Sequence, residues 1–307
     1  MNRVAIGIHG GAGRNSEFIE ANYDAYMEGL KTAVQHGYQL LINGATALDA
    51  VEATVRVLED NPLFNAGRGS ALNSNGEVEM DAAIMDGHLL AAGAVSMVRN
   101  VKNPISLARK VMSNTKHVHL AGYGAQELAE LNALEMKPND YFIVERQVND
   151  LKEEKSFGHG TVGCVALDLQ GYMAAATSTG GLTNCLPGRV GDSCTLGAGC
   201  YANLFGASSC TGDGEVIMTN VLAHKVALLV ELKGIGLQEA CDYAINNADQ
   251  PILGEVGIVS INKQGEVVFS FNCDRMHRAS IDHTGELFVD IYQSDSLLRP
   301  DGPRKKP

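Results

Sequence analysis

Two adjacent residues, Gly160 and Thr161, could support nucleophilic catalysis. A charged segment with few core residues ends at Gly160, and Thr161 then opens an apolar run. Cleavage between them would leave Thr161 with a free α-amino group beside its hydroxyl, which places a nucleophile and a base in one residue. Because an α-amine has a pKa of about 7.7–8.0, a useful fraction is neutral near pH 7. By itself, however, the pattern is more typical of a β-branched residue that begins a strand.

The elements that must position Thr161 occur as separate runs of strands and helices. Before it, hydrophobic periodicity predicts strands at 4–9, 77–85 and 90–98 and helices at 17–41, 46–58, 104–112 and 125–131. After it, we predict strands at 161–167, 172–179, 256–261, 267–271 and 287–292, and helices at 216–232 and 237–245. Because strands and helices do not alternate regularly, stacked sheets and helices are favoured over a doubly wound parallel sheet.

Two further stretches lack a clear period. Residues 180–214 are glycine-rich and predict irregular structure, and the charged residues of 137–160 predict an exposed, mobile linker. Strands on both sides of that linker need partners to cover their faces. We therefore interpret 1–307 as a single domain in two segments.

Composition narrows the classes of function. The formal net charge of −12 argues against nucleic acid and anionic membrane surfaces as partners. No apolar run reaches the roughly 20 residues of a membrane span, and no signal peptide is evident at the start. The seven cysteines include no Cys-x-x-Cys pair, which indicates reduced thiols and a cytoplasmic protein. His117 and His119 could share one face of a strand, but nothing nearby completes a metal site.

Short glycine- and threonine-rich motifs follow one another in a fixed order. They are His9-Gly10-Gly11-Ala12-Gly13, Phe64-Asn65-Ala66-Gly67, Gly160-Thr161-Val162-Gly163, Thr177-Ser178-Thr179-Gly180-Gly181, Gly188-Arg189-Val190-Gly191-Asp192 and Thr211-Gly212-Asp213-Gly214-Glu215. Together they closely resemble the plant-type L-asparaginase/isoaspartyl peptidase family of N-terminal-nucleophile hydrolases. The likeness runs from His9 to about Asn272, most of the chain. It implies an α+β fold, a four-layer αββα sandwich, autoprocessed into an α chain, 1–160, and a β chain, 161–307. It also implies that such αβ units usually pair as a dimer.

The resemblance assigns catalytic roles by position. Thr161 is expected to be the nucleophile freed by cleavage after Gly160, and Thr179 is expected to orient it. Thr211 and Gly212 are expected to bind the oxyanion just before a predicted helix. From the residues alone, that pair is also compatible with a threonine N-cap and a glycine turn.

The resemblance also implies a site for a zwitterionic amino acid. Arg189 is expected to hold the substrate α-carboxylate through two parallel hydrogen bonds, and Asp192 the α-ammonium. The expected substrate-binding set also includes Val190, Gly191, Thr211, Gly212, Asp213 and Gly214. An ordinary surface ion pair between Arg189 and Asp192 is the alternative that the residue types alone would favour.

Other loops are expected to support the site. Gly10 and Gly11 are expected to approach the scissile region, where side chains would not fit, unless they form a simple turn, and Asn65 is expected to support the same region. The residues from 58 to 68 resemble a loop that binds a structural sodium ion, largely through backbone carbonyls. Its expected ligands are Leu58, Glu59, Asn61, Phe64, Ala66 and Arg68, although some relatives have an apolar residue in place of Arg68. No cofactor and no catalytic metal are implied.

The implied activity is hydrolysis of L-asparagine to aspartate and ammonia, together with cleavage of β-aspartyl dipeptides. A glycosylasparaginase is a rival, but such relatives are expected to be secretory or lysosomal and to carry aspartate at the position of Gly160. A threonine-dependent protease is a more distant rival. An unprocessed homologue that only binds amino acids is the rival from another class. The sequence does not rank asparagine against β-aspartyl dipeptides.

Overall fold

A computed structural model describes residues 3–153, 160–246 and 252–293 of the chain. Its strands, in chain order, are β1 (Ala5–Gly13), β2 (Met80–Asp86), β3 (Ala91–Val98), β4 (His119–Ala121), β5 (Thr161–Leu167), β6 (Met173–Thr179), β7 (Cys200–Ala202), β8 (Ala207–Gly212), β9 (Val256–Ile261), β10 (Val267–Phe271), β11 (Arg275–Ile281) and β12 (Leu287–Tyr292). They form an eight-stranded sheet, ordered β12-β11-β1-β5-β6-β2-β3-β4, and a four-stranded sheet, ordered β10-β9-β8-β7.

The helices between these strands are mostly short. They are α1 (Glu17–Ala21), α2 (Tyr23–Ile42), α3 (Ala47–Glu59), α4 (Pro104–Asn114), α5 (Gly122–Leu131), α6 (Glu145–Lys152), α7 (Gly214–Asn220), α8 (Leu222–Leu228) and α9 (Leu237–Asn246). A 3-10 turn covers Asn139–Tyr141, and a π-helical turn covers Leu229–Lys233. Within the described ranges, no helix has both the length and the apolar character that crossing a membrane requires.

Both faces of the eight-stranded sheet are covered. Helices α2, α3 and α4 pack on one face, and the four-stranded sheet packs on the other through β8 and β9. Side chains of β5 alternate between these neighbours, as a strand requires. Val162 and Cys164 join the core under the helices, whereas Val165 and Leu167 join the core between the sheets. By the same alternation, Thr161 lies on the face that looks toward the smaller sheet.

The smaller sheet has its own helical cover. Helix α8 packs on β7 and β8, and α9 packs on β9 and β10, around a core that includes Leu222, Val226 and Ile258. Mixed α+β structure with two sheets is therefore established. The α+β fold class expected from the sequence is confirmed.

The structure corrects two predictions of irregular or missing structure. The region 180–214 was expected to be irregular but contains β7 and β8, whose small polar residues, Ala207 to Gly212, carry no strong strand signal. Strand β11 lies beside β1 and was not predicted, because Arg275, His277 and Arg278 interrupt its apolar pattern. All three side chains are buried, so the polar residues are part of the interior.

Two predicted helices are interrupted. The helix expected over 216–232 breaks at Val221, whose φ of 48° is a left-handed conformation that a β-branched residue rarely adopts. The helix expected over 17–41 divides at Asn22, after a short α1 capped by the Ser16 hydroxyl. Propensity alone gave no signal for either break.

The segment 137–160, predicted to be an exposed linker, is partly packed. Helix α6 lies within it, and the side chains of Phe142 and Gln147 are buried. The expectation of exposure is therefore wrong at Phe142 and on the inward side of α6, at Gln147. Apolar spacing at Phe142, Val148 and Leu151 was obscured by the charged residues between them. Residues 154–159 of the segment lie outside the described ranges.

Candidate active site

Thr161 lies at the start of a central strand. Strand β5 runs between β1 and β6, and the Thr161 side chain is buried among polar groups. Directly across the β5–β6 ladder is Thr179, which in turn pairs with Asp81 on β2. The three residues therefore form a row across the sheet. This places the two threonines predicted to be catalytic next to each other.

The nitrogen and the hydroxyl of Thr161 each have a hydroxyl neighbour. The backbone N–H of Thr161 donates to Thr211 Oγ1 over 3.4 Å, and Ser193 Oγ donates to Thr161 Oγ1 over 3.5 Å. The Thr179 hydroxyl accepts a hydrogen bond from the Gly181 N–H, 3.2 Å away. Cleavage before Thr161 would therefore create an amine beside the Thr211 hydroxyl. Ser193 was not predicted, although it directly follows the Asp192 motif.

Buried, hydrogen-bonded side chains hold the Thr161 carbonyl in place. His9 Nδ1 lies 2.8 Å from Thr161 O, and His9 Nε2 lies 2.8 Å from Ser209 Oγ. The Ser209 hydroxyl is 2.7 Å from Thr177 Oγ1, which also lies 3.0 Å from Gly199 O. Burial lowers the pKa of His9 to about 3, so the ring is neutral. Since Thr161 O can only accept, Nδ1 carries the proton and Nε2 accepts from Ser209.

His9 had no role predicted from the sequence beyond its place in a motif. The motif places a histidine at the point where an apolar strand turns into a glycine loop, and that was the available signal. Ser209 and Thr177 carried none, because a single serine or threonine in a short strand is unremarkable. In the fold, the three side chains join the two sheets directly behind Thr161.

The expected oxyanion residues end strand β8. Thr211 is fully buried, and Gly212 follows it with a φ of 120°, which a side chain would strain. A Cβ atom on Gly212 would also lie 2.1 Å from the Glu255 carbonyl oxygen. Because Thr211 belongs to the strand, the N-cap alternative is wrong: Asp213 occupies that position of α7. The backbone N–H of Asp213 donates to Glu255 O.

Arg189 is held by a carboxylate other than Asp192. Its Nε and Nη2 donate to the two oxygens of Glu215 over 2.9 and 3.0 Å, a bidentate pair. The simple Arg189–Asp192 ion pair is therefore absent among the described contacts, although their charges still interact. The Arg189 Nη1 group has no hydrogen-bond partner in the part of the chain that is described. Val190, between Arg189 and Asp192, packs against the core between the sheets.

Asp192 is a buried carboxyl with an unused oxygen. Its Oδ2 has no hydrogen-bond partner among the described residues. Burial raises the pKa of Asp192 to about 7, and the positive charge of Arg189 opposes that rise. Gly214 faces both residues: a Cβ there would lie 2.8 Å from Arg189 Nη2 and from Asp192 Oδ1. Gly214 therefore packs against one cation and one carboxyl, and a side chain at this position would clash with both.

Asp81 holds the loop that carries these charges. Its two oxygens accept hydrogen bonds from the N–H groups of Gly191 and Met97, at 2.9 and 3.0 Å. Burial raises the pKa of Asp81 to about 6. This residue was not predicted from the sequence, because an aspartate inside a predicted strand shows no spacing that links it to residue 191.

Asn65 supports the residues around the scissile bond. Its amide donates to Gly181 O and accepts from Ala71 N, and a Cβ on Gly160 would lie 3.1 Å from Asn65 Cβ. Gly10 makes its closest approach elsewhere, because a Cβ there would lie 2.4 Å from the Phe64 ring. Gly10 nevertheless lines the same cavity as Gly160. Gly11 has a φ of 113°, which suits a glycine.

Backbone hydrogen bonds within residues 58–68 close the expected sodium loop. Glu59 O accepts from Arg68 N over 2.7 Å, and Asn61 O accepts from Phe64 N over 3.2 Å. No such bond occupies the carbonyls of Phe64, Ala66 and Arg68 within the described residues. Leu58 O accepts from Asn61 N. These oxygens are chemically suited to a hard cation, with Glu59 and Asn61 already partly engaged.

The Glu59 side chain has a separate structural position. It accepts hydrogen bonds from Ser178 Oγ at 2.7 Å and from Ile105 N at 3.0 Å, and its Oε2 has no partner in the described chain. Burial raises the pKa of Glu59 to about 8, so the carboxyl is protonated at pH 7. Glu59 thereby ties α3 and α4 to the strand that carries Thr179.

Comparison with known proteins gives consistent matches along the chain. The family model described as asparaginase matches residues 2–289. An isoaspartyl peptidase/L-asparaginase from Xenopus laevis is 43% identical over 97% of this chain and 98% of its own length. The Bos taurus protein of that name is 45% identical over 97% and 99%, respectively. An isoaspartyl peptidase from Escherichia coli (strain K12) is 40% identical over 91% and 93%.

These matches cover the threonine row, the Arg189–Asp192 loop and the glycine motifs together, and the family was expected from the motifs alone. The match extends over nearly the whole chain and nearly the whole of each relative, so it concerns the complete fold and not one shared motif. The chain belongs to the asparaginase family.

Proposed function

We propose that this chain is a threonine N-terminal-nucleophile hydrolase that acts on L-asparagine and β-aspartyl dipeptides. The observation that carries the proposal is the placement of the Thr161 nitrogen and hydroxyl beside Thr211 and Ser193, on the buried face between the sheets. The names of the relatives, isoaspartyl peptidase and L-asparaginase, support the substrate class.

Activation begins with the chain cutting itself. The Thr161 hydroxyl attacks the Gly160 carbonyl carbon, the carbon–nitrogen bond breaks, and the acyl group passes to Thr161 Oγ1 as an ester. Water then hydrolyses the ester, which leaves a carboxylate on Gly160 and restores the hydroxyl next to a free α-amine. The hydrogen bond from His9 to Thr161 O keeps the residue in place throughout.

Substrate hydrolysis reuses the same groups. The α-amine of Thr161 takes the hydroxyl proton while Oγ1 attacks the side-chain carbonyl carbon of the substrate. Ammonia or an amino acid leaves with that proton, and a β-aspartyl ester remains on Oγ1. Water hydrolyses this ester and releases aspartate. Thr179, fixed opposite Thr161 by the strand ladder, acts as the orienting neighbour.

The oxyanion is assigned to Thr211 and Gly212. The Thr211 hydroxyl accepts from the Thr161 nitrogen in this structure, so its own proton is available to a developing negative charge. The position of Thr211 Oγ1, 3.4 Å from the Thr161 nitrogen, supports this assignment, since oxyanion donors must lie next to the attacked carbon.

The substrate head group is assigned to Arg189 and Asp192. Arg189 Nη1 would bind the α-carboxylate, and the Asp192 carboxyl, whose Oδ2 has no partner among the described residues, would accept from the α-ammonium. Val190 and Gly191 shape the loop that carries both charges, and Asp213 continues the backbone past Gly212. A buried carboxyl oxygen without a partner is costly, and an ammonium would relieve that cost.

The remaining family features are part of the same proposal. They are a four-layer αββα sandwich, an α chain of 1–160 and a β chain of 161–307, a dimer of αβ units, and a sodium ion on the carbonyls between residues 58 and 68. A cytoplasmic location is supported by seven cysteines that are all unpaired. Light scattering of the purified protein would measure the dimer.

The rivals are separated by one experiment. Purified wild-type protein and Thr161→Ala are compared by denaturing electrophoresis and by release of aspartate from asparagine and from a β-aspartyl dipeptide. The proposal expects two fragments and both activities in the wild type, and one intact, inactive chain in the variant. Two fragments from Thr161→Ala would refute self-processing. An intact wild type that binds asparagine without hydrolysing it would indicate the binding homologue, and selective hydrolysis of a glycosylated asparagine would indicate a glycosylasparaginase.

A further inference from the structure

A small cavity with a largely polar lining includes Gly160 among its lining residues. We call it the Gly160 cavity. Its lining consists of Gly10, Tyr26, Leu63, Asn65, Arg146, Gln147, Gly160, Arg275 and His277. Two cations thus share one small space with the residue whose carbonyl carbon is attacked during self-cleavage.

Arg275 in this cavity is buried and has no counter-ion among the described residues. Its side chain is 3% exposed, and its hydrogen bonds run from Nε to Arg14 O and from Nη1 to His277 Nδ1. No carboxylate of the described chain lies within ion-pair distance of it. Burial and the nearby charge of Arg146 both lower the pKa of Arg275. An arginine cannot escape this cost by losing its proton, so it favours a bound anion.

The other polar side chains that line the cavity offer more hydrogen-bond donors than acceptors. Arg146 donates through Nη1 to Tyr26 and Leu63, and its Nε lies 3.5 Å from the Asp150 carboxylate. Because Arg275 donates to His277 Nδ1, the neutral His277 ring carries its proton on Nε2, which has no hydrogen-bond partner among the described residues. The Gly11 carbonyl raises the pKa of His277 and so opposes the effect of burial, but it does not form a hydrogen bond with Nε2. Gln147 presents one unpartnered amide oxygen, the single acceptor among these unused groups.

The size of the cavity limits what can enter. About 20 Å³ is open to the centre of a water-sized sphere, which is room for one oxygen atom and not for a bulky ligand. Cleavage adds one oxygen to the Gly160 carbonyl carbon in place of the Thr161 nitrogen, and it adds one negative charge. The new group matches the cavity in both size and charge.

We propose that the Gly160 cavity receives the carboxylate that cleavage creates on Gly160, with Arg275 and Arg146 as its counter-ions. This inference rests on the self-cleavage of the proposed function. The carboxylate would hold the end of the α chain beside the active site after the cut. It would also draw the cleaved carbonyl carbon away from the Thr161 amine, which keeps that amine open to substrate.

Carboxypeptidase treatment of the cleaved protein tests the proposal. Mature wild type, Arg275→Gln, Arg146→Gln and Arg14→Gln are incubated with carboxypeptidase Y, and the α-chain mass is followed over time. Arg14 is the matched control, because its exposed side chain pairs with Glu255 outside the cavity. We expect Gly160 to be retained in wild type and Arg14→Gln, and to be removed at least about tenfold faster in both cavity variants. Arg275→Lys, which keeps the charge, should restore part of the protection.

The outcomes separate this proposal from the one it rests on. A wild-type chain that is never cleaved has no Gly160 carboxylate, and it removes both proposals. A cleaved wild type that loses Gly160 as fast as the cavity variants overturns this proposal alone. If Arg275→Gln fails to fold, Arg146→Gln decides. A crystal structure of the mature protein soaked in bromide gives a second test. A bromide ion in the cavity, with the Gly160 carboxylate outside it, would show that the cavity binds free anions and would overturn the proposal.

Discussion

Two charged regions near Gly160 and Thr161 differ in the balance of their charges. The proposed head-group pocket, assigned to Arg189, Asp192 and Gly214, contains both signs, and Glu215 and Asp81 add further carboxylates. The Gly160 cavity contains two arginines and places no carboxylate against Arg275 within the described residues. The difference indicates different occupants: a zwitterion suits the first region, and a lone anion suits the second.

Glu59 shows that burial has different consequences for an acid and for an arginine. This buried carboxyl also lacks a charged partner, but it takes up a proton, as its pKa of about 8 shows. Arg275 has no such escape, because a guanidinium stays charged at any pH a protein tolerates. An unpaired buried acid can therefore be purely structural, whereas an unpaired buried arginine calls for a ligand.

The largest effect is expected when Arg189, the cation of the head-group pocket, is replaced. This variant tests whether the two regions serve separate reactions. Arg189→Leu should lower kcat/KM for asparagine about 10²- to 10³-fold, because the charged hydrogen bond from Arg189 to the α-carboxylate is lost. Self-cleavage should continue, because Gly160 needs no head-group contact. Steady-state kinetics and electrophoresis of the same preparation measure the two effects, with Arg14→Leu as the exposed-arginine control. Loss of cleavage in Arg189→Leu together with loss of hydrolysis would show that the two regions are not separate.

Lowering the pH tests the anionic side of the same pocket. The pKa of Asp192 is raised to about 7, so the carboxyl is charged above that pH and neutral below it. Only the charged form of Asp192 pairs with an ammonium, and the Thr161 amine must also be neutral to act as the base. The two titrations together should lower kcat/KM roughly a hundredfold per pH unit below about 7. Asp192→Asn should be slower at pH 8 and should keep only the shallower decline that the Thr161 amine causes. An unchanged steep decline in Asp192→Asn would assign the second titration to another group.

Replacing His9, which holds the Thr161 carbonyl, should slow self-cleavage and substrate hydrolysis to a similar extent. His9→Gln removes the hydrogen bond to Thr161 O, and we expect about a tenfold loss in the rate of self-cleavage and in kcat, with KM little changed. His9→Asn places an amide nitrogen near the position of Nδ1 and should recover part of the loss. Since the pKa of His9 is lowered to about 3, neither variant should alter the pH profile between pH 5 and 9. A raised KM with a normal kcat would contradict a positioning role.

The smallest effect is expected at Glu59. Because this carboxyl is protonated at pH 7, Glu59→Gln should change the free energy of unfolding by less than about 1 kcal/mol, whereas Glu59→Ala leaves Ser178 and the Ile105 N–H unpartnered and should cost about 2–4 kcal/mol. The folded pKa lies above the unfolded value of 4.5, so the stability from Glu59 is present at low pH and is lost as pH rises toward 8. Urea denaturation at pH 5 and pH 8 should show a smaller decline for Glu59→Gln than for wild type. A large loss at pH 7 in Glu59→Gln would show that the carboxyl is charged after all.

Sequence reasoning reached the residues whose motifs are local. Thr161, Arg189 and Thr211 stand in short glycine-rich motifs, so their order along the chain was enough to indicate the family. The strands 161–167 and 172–179 were also predicted, because an apolar run bounded by a glycine turn has few other interpretations.

The residues that sequence reasoning missed act over long separations. Asp81 reaches Gly191 across 110 positions, and His9 reaches Ser209 across 200. Arg275 and Gly160 share a cavity only because β11 pairs with β1. One chain contains no local pattern for such contacts, since tertiary pairing and not periodicity creates them.

The central claim is that the mature enzyme begins a new chain at Thr161. Intact mass spectrometry of active wild-type protein, with N-terminal sequencing of each fragment, tests it most directly. The account predicts two species, one of which starts at Thr161, and activity that rises in proportion to them. Full activity in protein that is still continuous from Gly160 to Thr161 would contradict it.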